Sequence, residues 1–277
     1  MENCVICSNN LKKINSFVLK CNNCLFLKSD LKPGYGREFE GLSELRINNF
    51  KQILKILKKI NNSNKLRILE IGSGKGIFIE ECKKFNIDIT GSVPDEEELE
   101  ILRKRFDNTL KISLPLKDNE ENNYGQFDYI VFNDVFEHLE NLDKVIIQLQ
   151  FFLKDNGKIL INLPSSDGLI FKFSNTLNYF GFTNFYNRLW QKGLPSPHLS
   201  YFNNSNLKLL FKKHDYDLIY SSSLNTVSKN GNFKRINSTI KNKLICALIT
   251  FFVFLFYYIQ KLLPRDLIFH IYEKIKK

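Results

Sequence analysis

Three groups of residues in this 277-residue chain have the types and spacing to do chemistry. The first is Cys4-x-x-Cys7 with Cys21-x-x-Cys24, the pairs 13 residues apart. Each pair offers two thiolates, and the spacing lets two knuckles close on one tetrahedral Zn²⁺. Four thiolates would fill the coordination sphere, so such a centre is structural, and the metal would supply most of the folding free energy of so short a segment. The second group is Glu70-Ile-Gly72-Ser73-Gly74-Lys-Gly76, set between a short apolar run and a helical pattern. Glycine permits positive φ and removes the side chain that would keep a ligand from the backbone, and a helix start presents free N–H groups. The third is Asp134-x-x-Glu137-His138. Positions i, i+3 and i+4 share a helix face, so these three side chains are expected to converge.

Each group admits more than one use. The glycine spacing is G-x-G-x-G, with Ile77 where a dinucleotide loop needs its third glycine. Glu70 would repel a pyrophosphate, and no phosphate-binding G-x-x-x-x-G-K-[ST] loop occurs. A carboxylate there suits a ligand with a cationic end, and S-adenosylmethionine carries an ammonium and a sulfonium; a plain strand-to-helix turn is the bland alternative. Asp134, Glu137 and His138 could cap and pack their helix. They could instead supply a general base in His138, or hold a second divalent ion. His198, in Pro197-His-Leu-Ser-Tyr-Phe202, has three uses open: facing a substrate, completing a metal site with His138, or hydrogen-bonding within a loop. Cys82 and Cys246 stand alone and read as structural, as do His214 and His270.

The elements that position these groups follow from periodicity. A hinge at 32–36 leads into a helix ending at Ile60, with Leu54, Ile56, Leu57 and Ile60 at helical spacing. Strands are expected at 66–71, 87–91, 110–114, 127–132 and 158–163, with helices at 76–85 and 95–106 between them. This alternation implies an α/β fold, a parallel sheet covered on both faces, with ligands at the carboxyl ends of its strands. The segment 164–203 is long, aromatic and irregular, as a lid over a substrate is. A helix at 206–214 and strands at 216–222 and 267–272 complete the pattern.

At this point the chain resembles the class I S-adenosylmethionine-dependent methyltransferases, from about residue 40 to residue 225. The resemblance rests on Leu69-Glu-Ile-Gly-Ser-Gly-Lys-Gly76, Phe127-Asp-Tyr-Ile-Val-Phe-Asn-Asp-Val-Phe-Glu-His-Leu139 and Gly157-Lys-Ile-Leu-Ile-Asn-Leu-Pro164. The subgroup it is most similar to is bacterial, carries an N-terminal zinc ribbon and acts on sugars or other small molecules. The resemblance implies a Rossmann-like sheet of about seven mostly parallel strands. It divides the chain into a ribbon at 1–31, a core at 37–230 with its lid at 164–203, and a C-terminal segment at 231–277. It assigns Glu70, Gly72, Ser73, Gly74, Gly76 and Asn133 to the cofactor, with 113–116 near the adenine and the ribbon beside the substrate. Relatives place an acid at the end of the second strand to bind the ribose. Here Gly91-Ser-Val-Pro94 puts Val93 in that place, leaving Ser92, Asp95 or a shifted register as substitutes. His138 and His198 are the catalytic candidates. Some quinone and RNA 3′-end methyltransferases hold a metal with an arrangement similar to Asp134, Glu137 and His138.

Composition bounds the partners. The net charge is +11, yet lysines outnumber arginines 32 to 8, and residues 229–277 hold ten basic residues against two acidic ones. The ribbon segment has four lysines and no arginine. This distribution argues against nucleic acid and points to a membrane surface. Residues 244–259 carry no charge and would span roughly 24 Å as a helix, against a hydrocarbon core of about 30 Å. A buried or dimer-interface helix, a peripheral membrane contact through 244–263 and a transmembrane span are the alternatives. With no apolar leader at the first residues, the chain is expected in the cytoplasm, at the inner face of the membrane if it is bound there. The expected activity is methyl transfer from S-adenosylmethionine to a small-molecule or glycan acceptor, as O-methylation of a surface-polysaccharide precursor. The competing readings are an RNA methyltransferase and a relative that has lost cofactor binding.

Overall fold

The computed structural model describes residues 2–34, 43–61, 65–117, 124–229, 231–237 and 242–275. The expected hinge at 32–36 lies partly outside them. The chain begins with β1 (Leu11–Lys13), β2 (Val18–Cys21) and β3 (Leu27–Ser29), an antiparallel meander around the four cysteines. Then come α1 (Ser43–Ile60), β4 (Arg67–Ile71), α2 (Ile77–Lys84), β5 (Asp88–Val93), α3 (Glu96–Arg103), β6 (Thr109–Lys111) and β7 (Phe127–Asn133). A short 3-10 turn, Phe136–His138, precedes α4 (Leu142–Gln148) and the long β8 (Leu153–Pro164). The remainder is α5 (Leu169–Tyr179), α6 (Thr183–Leu189), β9 (Ser200–Tyr201), α7 (Asn204–Lys213), β10 (Tyr216–Ser223), α8 (Asn232–Asn237), α9 (Lys243–Ile259) and β11 (Leu267–Lys274).

Seven strands form the central sheet in the order β10-β11-β8-β7-β4-β5-β6. Strands β4 to β8 are mutually parallel, and β11 alone runs against them, wedged between β8 and β10. The central strands β4, β7 and β8 are covered on both faces, which is why each carries a run of buried residues that is mostly apolar. Alternation along each strand divides the core. Ile68, Tyr129 and Val131 face α1, α2 and α3 through Leu54, Leu57, Phe78 and Leu99. Leu69, Ile130 and Phe132 face α4 and α7 through Val145, Ile146, Leu207 and Phe211. Each such side chain contributes about 1.5–3 kcal/mol on burial.

The segment 164–203 departs from the expected irregular lid. It folds into α5, α6 and β9, and β9 pairs with β3 of the cysteine meander, Leu27 opposite Tyr201. Around this joint Phe17, Val18 and Leu27 pack with Phe171, Tyr186, Trp190 and Tyr201. Trp190 is fully buried there, so it is a packing residue and not an acceptor-stacking one. The C-terminal apolar stretch forms α9 almost as bounded in sequence. Most of its large side chains are exposed, which removes the reading of a helix buried in the domain. Among the described residues, no helix is long and apolar enough to cross a membrane.

Candidate active site

The turn from β4 to α2 carries the glycines at φ of +72° for Gly72, +49° for Gly74 and +75° for Gly76. A Cβ on Gly72 would lie 2.7 Å from Val135, and one on Gly76 would lie 2.3 Å from a Phe106 ring carbon. Left-handed backbone and close packing both demand glycine at these two positions. Gly74 stands exposed between them. Ser73 does not face a ligand freely: its N–H donates to Ser92 O at 2.7 Å, and its Oγ accepts from Ser92 N at 3.0 Å. Ser92 Oγ in turn donates to Glu70 O at 2.9 Å. These bonds fasten the glycine turn to the end of β5.

Glu70 is buried at the end of β4, and Asn133 at the end of β7 donates to its Oε1 at 3.0 Å. Asn162 on β8 adds a 3.5 Å contact to Asn133 Oδ1. Polar groups thus line three adjacent strand ends at the site of the glycine turn. Val93 is 1% exposed and belongs to the core beneath, so it offers nothing to a ribose. Ser92 is committed as described. Asp95 is exposed, and its Oδ1 caps α3 by accepting from Glu97 N and Glu98 N at 2.9 and 3.1 Å. In the 113–116 stretch, Leu116 is buried and tied to Gln148 through both its N–H and its carbonyl.

Asp134, Glu137 and His138 do not share a helix. Asp134 takes a left-handed φ of +54° just after β7, and only Phe136–His138 make a 3-10 turn. The carboxylate of Asp134 faces Arg46 of α1 at 3.5 Å. The partner that replaces it comes from 60 residues on: His198. Its ring lies 4.7 Å from that of His138, and its Nε2 lies 4.0 Å from Glu137 Oε1. One ligand-type atom from each of Glu137, His138 and His198 falls within 4.8 Å of the others. The ribbon joint aims this histidine. Ser29 Oγ donates to His198 O at 2.8 Å, and Ser29 N to Leu199 O at 2.9 Å. Leu199 N donates to Glu137 O at 2.9 Å, and Gln191 Nε2 stands 2.9 Å from His198 Nε2. Ser29 and Arg46 carried no sequence signal, since each acts on a residue distant in the chain.

The electrostatics of this cluster are governed by burial. His138 Nδ1 lies 2.8 Å from Pro197 O. A carbonyl can only accept, so Nδ1 carries the proton and Nε2 keeps its lone pair. Burial holds His138 below its ordinary value and His198 well below. Both imidazoles are therefore neutral near pH 7. Burial, with the charge of Asp134 adding, pushes the Glu137 carboxyl well above its ordinary value. Both Glu137 carboxylate oxygens are buried without a hydrogen-bond partner among the described residues. An unpaired buried carboxylate is costly unless it is protonated or meets a cation. The glycine turn is contiguous with this cluster, because Val135, against which Gly72 packs, leads directly into Phe136–His138.

At the far end of the ribbon joint the four cysteines converge. Cys4 and Cys24 sulfurs are 3.5 Å apart, Cys7 and Cys21 sulfurs 3.4 Å, and all four lie within 4.8 Å of one another. None forms a disulfide. Sulfurs about 2.3 Å from a tetrahedral ion stand slightly farther apart than these pairs, so the set fits one thiolate-bound metal.

Residues 43–221 match the methyltransferase domain family. Two proteins of Methanocaldococcus jannaschii, both described as uncharacterized, are similar in sequence. One is 32% identical over 124 residues, 44% of this chain and 51% of that protein. The other is 36% identical over 109 residues, 38% of this chain and 48% of that protein. The chain therefore spans about half the length of the curated relatives it matches. Among solved structures, the cyclopropane synthase MmaA2 of Mycobacterium tuberculosis superposes with a TM-score of 0.51 at 15% identity, over 87% of this chain and 88% of that one. The plantazolicin methyltransferase BpumL, solved with SAH and a monoazolic desmethylPZN analog, gives 0.50 at 14% identity, over 86% of each chain. At such identities these structures speak to fold, and they share the doubly covered, mostly parallel sheet. With the family match covering more than half of its length and both sheet and glycine turn in place, the chain belongs to the methyltransferase domain family.

Proposed function

We propose that this protein transfers a methyl group from S-adenosylmethionine to a hydroxyl of a small-molecule or glycan acceptor, such as a surface-polysaccharide precursor. The observation that carries the proposal is the neutral His138, its Nε2 lone pair fixed by the Pro197 carbonyl, in a buried cluster next in the chain to Val135, against which the glycine turn packs. The strand ends suit the cofactor: Gly74 leaves the turn's backbone open, and buried Glu70 with Asn133 supplies an acceptor for a cationic amino-acid moiety. Asp95, the first carboxylate beyond β5, is the candidate for the ribose and keeps Oδ2 clear of its capping bonds. When bound, the cofactor supplies an activated methyl on a sulfonium, so the protein has only to orient the acceptor and remove one proton. The acceptor oxygen gains the methyl and loses its proton, which His138 Nε2 takes. His198, 4.7 Å away ring to ring, would orient the acceptor.

A second use of the same pocket is favoured by the two unpartnered Glu137 oxygens. Glu137, His138 and His198 would hold a divalent ion with three protein ligands and an open position, as catalytic sites do. Such an ion would acidify an acceptor hydroxyl. Asp134, assigned to this set by sequence spacing, is directed to Arg46 instead. The four cysteines would hold a structural Zn²⁺.

The test is calorimetric titration with S-adenosylmethionine, followed by incubation of extract fractions with methyl-labelled cofactor. Binding and labelled product are expected, with His138→Ala removing product and keeping binding. Absence of cofactor binding to the folded protein would overturn the proposal. Elemental analysis separates the two uses of the pocket: one equivalent of metal supports the base, two support the metal.

A further inference from the structure

Helix α9 leaves a broad apolar face in solvent. Leu244, Leu248, Phe251, Leu255, Tyr258 and Leu262 recur every three or four residues and are 44–87% exposed. The helix is nonetheless moored to the body. Cys246 is fully buried, and Gln260 Oε1 accepts from Thr226 N at 3.1 Å and Val227 N at 3.3 Å. Its C-terminal end meets the start of α5, where Leu169 N donates to Pro264 O and Ile170 N donates to Asp266 Oδ1 at 2.7 Å. From that junction α5 and α6 carry a second exposed set: Phe173, Tyr179, Phe180, Phe182 and Phe185.

Along the chain, both sets lie in stretches of one charge sign. No acidic residue occurs between Asp167 and Asp215, and none between Asp217 and Asp266. Those two stretches hold thirteen lysines and arginines. Between α8 and α9 an open groove of about 490 Å³ combines Lys229 with Phe233, Phe251 and Phe254. A cation above an apolar wall is what a lipid phosphate over its acyl chains requires.

We propose that α9, with the aromatic tip of α5 and α6, docks on the surface of an anionic lipid bilayer. Apolar area alone would equally suit a second copy of the chain. Two copies face to face, however, would oppose stretches that carry lysine and arginine but no acidic residue along the chain. A bilayer surface supplies both the apolar layer and the missing anions. With no membrane-spanning helix among the described residues, α9 lies along the interface rather than through it. This docking needs neither cofactor nor acceptor and stands apart from the methyl-transfer proposal.

Flotation of the full chain tests it, with vesicles of phosphatidylcholine alone and of phosphatidylcholine mixed with phosphatidylglycerol. Binding to the anionic vesicles is expected to exceed binding to the neutral ones by about tenfold or more and to weaken as salt rises. The double variant Phe251→Ser, Phe252→Ser should lose about tenfold in binding with its melting temperature kept. The lipid and salt comparison on the unaltered chain decides the matter even if that variant misfolds. Equal retention on both vesicles, or no flotation of folded protein, overturns the proposal. So does a dimer in light scattering that the double variant disperses, since the face would then belong to a second copy.

Discussion

Cys4, Cys7, Cys21 and Cys24 meet within one short meander, whereas Glu137 and His138 meet His198 across some 60 residues of chain. Both clusters bring ligand-type atoms within 4.8 Å, but they differ in kind. The first has four like donors and closes on itself. The second has one carboxylate and two imidazoles, the carboxylate buried with no hydrogen-bond partner among the described residues and the histidines held neutral by burial. A closed set suits holding a fold; an open, desolvated set suits chemistry. The two are mechanically joined, because β3 of the first pairs with β9, which follows His198 directly. The meander therefore braces the Glu137–His138–His198 cluster.

The comparison breaks most visibly through the brace. Cys21→Ser should release the ribbon metal and, through β3 and β9, scatter His198. Methyl transfer would fall at least about 100-fold, as expected when a metal-dependent fold is lost. Loss of metal with activity and melting temperature intact would show that the two clusters are independent. Gly74→Asp probes the cofactor side alone: it should weaken S-adenosylmethionine binding about 100-fold or more by placing a side chain in the open turn, with ribbon metal unchanged. Unaltered affinity in calorimetry would move the cofactor elsewhere. In His138→Ala the rate should drop about 10²–10⁴-fold, the usual worth of a general base. Cofactor affinity should stay within about threefold, so a parallel loss of affinity would recast the residue as structural.

Smaller effects sharpen the joint. Ser29→Ala removes the hydroxyl bond to His198 O and should cost about 1 kcal/mol of stability. It should lower kcat more than it raises KM, and Ser29→Thr should restore the rate. The smallest effect is in the pH dependence. Both histidines titrate below their ordinary value of 6.5 when folded. Their stabilising share is thus complete above that pH and is lost as pH falls, because the unfolded chain takes up protons the folded chain resists. His198→Asn removes one such group. Its melting temperature should approach that of the parent as pH drops from 8 to 5.5, values chosen to bracket roughly the ordinary histidine range. Parallel curves would mean that His198 is not buried neutral.

The glycine turn was legible because its demands are local. Positive φ at Gly72 and Gly76 and the contacts with Val135 and Phe106 leave glycine as the residue that fits. The sheet was legible because strands covered on both faces carry mostly apolar runs, as β4, β7 and β8 do. Several expectations failed where partners are distant. Asp134 left the helical spacing for Arg46. The segment read as an irregular lid became two helices and a strand, since a strand of two residues is specified by the edge it joins and not by its own pattern.

By itself, the amino-acid sequence determined the cysteine knuckles, the glycine turn and the doubly covered parallel sheet. Spacing, backbone freedom and hydrophobic period act over a few residues and leave their mark directly in the chain. Tertiary structure alone decided which acid joins the histidine pair, which aromatic residues are buried and which face of α9 stays in solvent. Those outcomes depend on packing and desolvation between segments far apart in the chain, and no local pattern encodes them.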